Sequence, residues 1–137
     1  MDAVALQEWV ELESQGFSAY VGPIFMRNYS GDGPLLYKLD AQERHRNRRG
    51  FIHGGAIMTL GDIAVANALR TIDPSFRYVT VQSDFHFVEA ARLDLSLMCE
   101  CTVQKRGRSL AFVDARFTSG DTVVASAKTI WRILENR

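Results

Sequence analysis

The chain has 137 residues, of which 47% are hydrophobic and 23% charged, enough for one compact core and not for two. Sixteen Lys plus Arg offset sixteen Asp plus Glu and three His leave the sequence pI near 6.8, so no net field favours nucleic acid or an anionic membrane surface. No apolar run approaches the roughly 20 residues of a bilayer crossing, and residues 1–10 carry acids rather than a basic signal-peptide start; a soluble, cytoplasmic protein is expected, with no membrane and no nucleic-acid partner.

We read one domain over residues 1–137, with residues 1–19 as an N-terminal helix and lead-in. Residues 3–14 carry Val4, Leu6, Trp9, Val10 and Leu12 among Gln7, Glu8, Glu11 and Glu13, a helical stripe without Pro or Gly. Residues 24–30 and 35–39 flank Gly31, Asp32, Gly33 and Pro34, which predicts a hairpin. Residues 43–49, ERHRNRR, are too polar for a core element and read as a charged loop leading into a long helix over about 54–70. That helix is apolar on nearly every face, with Ile57, Leu60, Ala64 and Ala68 on one stripe and Met58, Val65 and Leu69 on another, so it must be enclosed.

Period two then takes over. Val79, Val81, Phe85 and Phe87 alternate with Thr80, Gln82, Asp84 and His86, and only Ser83 interrupts the apolar side. Residues 93–103 alternate cleanly, and two further strands are predicted over 110–118 and 123–133, separated by turns at Gly107 and at Ser119, Gly120 and Asp121. Short connections imply antiparallel neighbours. One apolar helix and one sheet with an apolar face make a complete two-layer α+β solution, the sheet curling around the helix. Cys99 and Cys101, two apart on one strand, stand about 6.5 to 7 Å apart, at the edge of disulfide reach, and are read as small reduced hydrophobes.

Asp62 breaks the pattern. It shares a stripe with Met58, Val65 and Leu69, so a carboxylate stands among apolar neighbours, either exposed, paired with a cation such as Arg70, or functional. At the helix start, His53, Gly54 and Gly55 suggest backbone N–H groups open to a ligand where the helix dipole favours negative charge. They fit a plain helix start as well. Eight residues separate Gly54 from Asp62, roughly 12 Å of helix rise, so the two cannot reach one carbonyl within a single chain. In a two-fold dimer with these helices antiparallel they can, and two identical sites form.

Asn47, Gly50, His53, Gly54, Gly55, Leu60 and Asp62 together resemble the signature of hotdog-fold acyl-CoA thioesterases of the phenylacetyl-CoA thioesterase type. The similarity spans about residues 20–134, taking in residues 78–88, the segment KRGRSLAFVDARF and the closing VASAKTIWRI. Two departures stand out: Glu89 and Ala90 occupy positions where the family often has Arg-Pro, and residues 44–49 are rich in Arg. The resemblance implies a hotdog fold, a homodimer or homotetramer, an acyl-CoA substrate, and thioester hydrolysis with neither cofactor nor metal. It implies that the Gly54 N–H polarises the carbonyl while the partner subunit's Asp62 acts as general base or nucleophile. Asn47 orients water or thioester, His53 braces the loop or aids the leaving group, and Gly55 and Thr80 complete the substrate site. Thr80 also fits the polar side of an ordinary strand. Basic residues should meet the phosphates of CoA; the cluster at Arg44, Arg46, Arg48 and Arg49 and the turn at Lys105, Arg106 and Arg108 both offer themselves, and both also fit a solvated loop. Two other functions fit the same residues: an acyl-thioester hydratase or dehydratase leaning on His53, and an acyl-CoA binder without turnover.

Overall fold

The computed structural model describes residues 8–27 and 33–135. Strand β1 (Trp9–Glu11), helix α1 (Gly16–Val21), strands β2 (Ile24–Arg27) and β3 (Leu35–Leu39), helix α2 (Gly54–Ile72), and strands β4 (Phe76–Phe87), β5 (Leu97–Arg106), β6 (Leu110–Ser119) and β7 (Thr122–Glu135) follow in that order. The strands form one antiparallel sheet in the order β1-β2-β3-β5-β6-β7-β4. The sheet curves around α2 and does not close, which is the hotdog arrangement.

The core lies between helix and sheet. Ile57, Leu60, Ala64, Val65, Ala68 and Leu69 of α2 pack with Val113, Phe117, Ala125, Ala127 and Trp131 of the sheet, all buried. Small residues on the helix let it sit close. A Cβ on Gly61 would stand 2.8 Å from Phe117 Cζ and 3.0 Å from Phe85 Cζ, so the absence of a side chain there sets the distance between helix and sheet. Polar groups in the core are satisfied: Trp131 Nε1–H donates to Thr129 Oγ1 at 2.9 Å, and Thr129 Oγ1–H donates to the Val113 carbonyl at 2.7 Å. Cys99 and Cys101 are free, buried and on the helix-facing side, with sulfurs 3.9 Å apart, and burial pushes the Cys99 thiol up.

Three expectations need correction. The helix expected over 3–14 does not form where that stretch is described, over residues 8–14. Residues 3–7 lie outside the described residues, Trp9–Glu11 is a strand paired with β2, and the helix is Gly16–Val21. The sheet edge offers β1 a ladder, and Lys38 Nζ lies 5.2 Å from the Trp9 ring centroid; such tertiary contacts override a weak helical preference. The first hairpin forms with Ile24 opposite Leu39, although residues 28–30 of its first strand lie outside the described residues. The strand expected from 93 starts at Leu97, because residues 93–95 turn while Arg92 grips Asp94 at 2.6 Å.

The third correction concerns β4. Its register with β7 slips between Thr80 and Gln82, a bulge at Val81. One extra residue reverses the alternation, so Tyr78 and Thr80 face the helix before it, and Phe85 and Phe87 after it. Val79 and Val81 are left half-exposed, at 50% and 57%. Thr80 therefore does not lie on the polar outer side that unbroken alternation predicts.

Candidate functional site

The site begins at the loop before α2. Asn47 accepts the N–H of Phe51 and the N–H of Arg49 on Oδ1, at 3.0 and 2.9 Å, while its own N–H donates to the Phe51 carbonyl at 2.7 Å. Gly50 closes this turn at φ +88°, a left-handed conformation that suits glycine. Asn47 is thus spent as an acceptor, and its side-chain N–H2 is the group left to offer.

His53 is the N-cap of α2. Its Nδ1 accepts the Gly55 N–H at 2.8 Å, which places the ring proton on Nε2. The first turn was expected to present both glycine N–H groups; this cap uses that of Gly55. The Gly54 N–H has no acceptor among the described residues. It opens on a cavity of about 420 Å³ lined by Asn47, Phe51, Ile52, Gly54, Ile57 and residues 87–91. The Phe87 ring lies over Gly54, 3.4 Å from where a Cβ would be. Alternation along a strand does not show where its end points, so it does not mark Phe87, Val88 and Glu89 as lining residues.

Asp62 stands further along α2, exposed rather than buried. The stripe it shares with Val65 and Leu69 does not all turn inward: Met58 is also exposed, at 45%, whereas Val65 and Leu69 are covered by the sheet. Among the described residues Asp62 has no ion pair, neither with Arg70 nor with another cation. Its partner is Thr80, whose Oγ1–H donates to Asp62 Oδ1 at 2.7 Å, brought there by the alternation that precedes the Val81 bulge. One carboxylate oxygen is held and the other is open.

One chain therefore places these candidates in two groups, Asn47 with Gly54 at the start of α2 and Asp62 with Thr80 on its outward face, about 12 Å apart along the axis. The basic candidates separate likewise. Arg106 packs 4.7 Å over the Phe76 ring and pairs with Asp73 at 3.2 Å, at the end of α2 away from Gly54; Arg108 is exposed on the adjoining turn. Arg44 holds the carbonyls of Tyr20 and Gly22, and Arg46 pairs with Glu43 at 3.3 Å. Arg48 and Arg49 are exposed and in no ion pair among the described residues. A larger open groove of about 650 Å³, lined by Asp84, His86, Asp114 and Lys128 among others, holds none of the candidate site residues. No cluster of three or more His, Cys, Asp or Glu suited to a metal occurs among the described residues, nor is any helix there long and apolar enough to cross a membrane.

A family model of the thioesterase superfamily matches residues 49–126, the stretch that contains Gly54, Asp62 and Thr80. A Pseudomonas aeruginosa protein named as a putative esterase is 33% identical over 114 residues, covering 82% of this chain and 84% of that protein. Human acyl-coenzyme A thioesterase 13 is 26% identical over 110 residues, 80% of this chain and 78% of its own. Among solved structures, a Streptococcus mutans protein bound to acetyl-CoA superimposes with a TM-score of 0.76 at 25% identity, over 91% of this chain and 96% of that one.

Proposed function

Since the chain belongs to the thioesterase superfamily, we propose that it hydrolyses an acyl-CoA thioester to the free acid and CoA, in a cleft shared by two protomers. The observation that carries this is the Gly54 N–H, unpaired at a helix start and opening on a cavity, with Asp62 too far along the same helix to serve it. Two features support the dimer. Among the described residues β4 is paired with β7 on one side only, leaving the other edge of a 12-residue strand open there. Around it Met58, Val79, Val81, Phe87 and Val88 are exposed apolar residues. A second β4 laid antiparallel across a two-fold axis covers both and sets each Gly54 opposite the partner's Asp62.

In that cleft the thioester carbonyl accepts the Gly54 N–H, reinforced by the positive end of α2 and by the Asn47 amide. The partner's Asp62 takes a proton from water as water attacks, or itself attacks the carbonyl carbon and forms an anhydride that water then opens. Either route passes through an oxyanion at the Gly54 N–H, and collapse breaks the carbon–sulfur bond and expels the CoA thiolate. Thr80 steadies one oxygen of the carboxylate and leaves the other to react. The acetyl-CoA-bound neighbour supports CoA as the carrier.

The test is thiol release from a panel of aryl, short-chain and long-chain acyl-CoAs, with wild type and Asp62→Asn. Turnover by wild type that Asp62→Asn loses is expected. Binding without turnover points to a non-catalytic binder, and no thiol release together with hydration of an enoyl-CoA that His53→Ala abolishes points to a hydratase or dehydratase.

A further inference from the structure

The charged segment 43–49 contains one side chain that is not solvated. His45 is 4% exposed, and both ring nitrogens are engaged. Nδ1 accepts the backbone N–H of Gln42 at 2.9 Å; the proton is therefore on Nε2, which donates to the carbonyl of Val21 at the end of α1. The carbonyl of His45 in turn accepts the N–H of His53, the N-cap of α2, at 2.7 Å. One residue thus joins α1, the 3-10 turn Glu43–His45 and the start of α2.

Residues 45–53 run from that point as a narrow hairpin. His53 bonds back to His45, Arg46 bridges Ile52, and Asn47 bonds to Phe51. Asn47 lies within the hairpin and Gly54 follows its last residue, so both donors of the first group are placed by how the hairpin is seated. The His45 ring is not among the groups lining the cavity, so whatever it does there passes through the backbone.

We propose that His45 is a positioning residue for the thioester hydrolysis proposed above: its ring seats the 45–53 hairpin so that the Asn47 amide and the Gly54 N–H converge on one carbonyl. The proposal rests on that reading of function. A neutral imidazole suits the role because it sets an acceptor and a donor at opposite ends of a rigid ring. Asn can reproduce the acceptor near Nδ1, Gln the donor near Nε2, and Ala neither. Of these contacts the Nδ1 bond closes the turn that carries the hairpin, whereas the Nε2 bond holds α1, which bears no donor of the site.

The experiment measures kcat and KM for an acyl-CoA that wild type turns over, per folded molecule, in His45→Ala, His45→Gln and His45→Asn. For Ala and Gln, kcat and kcat/KM should fall together by about 10- to 100-fold with KM little changed, as for a misplaced transition-state contact. Asn should recover most of the loss. Backbone amide resonances of Asn47 and Gly54 should move in the Gln variant and stay near wild type in the Asn variant, a readout independent of turnover. Unchanged kcat per folded molecule in the Ala variant overturns the proposal; should Ala fail to fold, unchanged kcat in both Asn and Gln does so. A wild type that turns over no acyl-CoA refutes the functional reading instead, a distinct result.

Discussion

Replacing Gly54 by Pro removes one N–H and little else. Gly54 is the first residue of α2, the helical position where proline is best tolerated, since the N–H there has no partner within the helix. The residue before it, His53, has φ −63° and ψ 136°, the extended conformation that a following proline requires. A Cβ at position 54 meets Phe87 at 3.4 Å, an ordinary contact, and the deleted N–H has no acceptor among the described residues. Stability should therefore fall by far less than the ~3 kcal/mol of a proline inside a helix, while loss of an oxyanion donor should lower kcat about 100- to 1,000-fold. Gly54→Ala keeps the N–H and should stay active. Inhibition by free CoA, unchanged in the Pro variant, would separate the lost donor from a blocked cleft.

The same variant tests whether the site is shared. Mixed one to one with inactive Asp62→Ala chains, half of the dimers are heterodimers, and each has one intact site of two. About one quarter of wild-type activity should return. A Gly54→Pro protein that hydrolyses thioesters at the wild-type rate would refute the role of the N–H. No recovery after demonstrated subunit exchange would refute the shared cleft.

Asn47→Asp keeps the acceptor that holds Arg49 and Phe51 but replaces the side-chain donor with an anion; a well-folded protein with kcat at least about tenfold lower is expected in thiol-release assays, as for an oxyanion donor removed. Gly61→Ala gains about 1 kcal/mol of helix propensity but presses a methyl against Phe117, fully buried, at 2.8 Å, an overpacking cost of about 1 to 3 kcal/mol; urea denaturation should show net destabilisation, and a more stable protein would mean that the rings yield freely. His45 gives stability a pH dependence. Burial, offset in part by the Val21 carbonyl and assisted by Arg44, lowers its pKa, while α1 carries no charged residue and Glu43 and Arg46 pair with each other. As pH falls below the usual histidine value near 6.5, the unfolded chain binds a proton that the native ring resists, so stability drops on acidification and is fully present above that value. Urea midpoints between pH 7.5 and 5 should fall further in wild type than in His45→Asn, and equal slopes would dismiss His45 as the cause.

Local pattern carried much of this reading. An apolar helical run after a Gly-rich start and four alternating segments with glycine turns admit few solutions other than a sheet wrapped on a helix. The distance from Gly54 to Asp62 follows from residue count and helix rise, which by themselves exclude a single-chain site. Which groups are free was not legible in this way. That the Gly55 N–H belongs to His53 and the Asn47 Oδ1 to its own loop depends on local backbone and side-chain angles, and that Arg106 belongs to Asp73 depends on where the chain returns in space.

Long-range pairing also decided the points at which periodicity misled. Residues 9–11 have a helical stripe but find a sheet edge, and a ladder outweighs a propensity of a few tenths of a kcal/mol per residue. Thr80 meets Asp62 because the alternation it belongs to ends in a bulge at Val81, which appears only in the register against β7. His45 lies in the most polar stretch of the chain, and only the return of α1 over that loop buries it. Spacing along the chain sets what can lie on one face of an element, local loop geometry sets which donor at the helix start remains unspent, and contacts between distant segments set which face is covered.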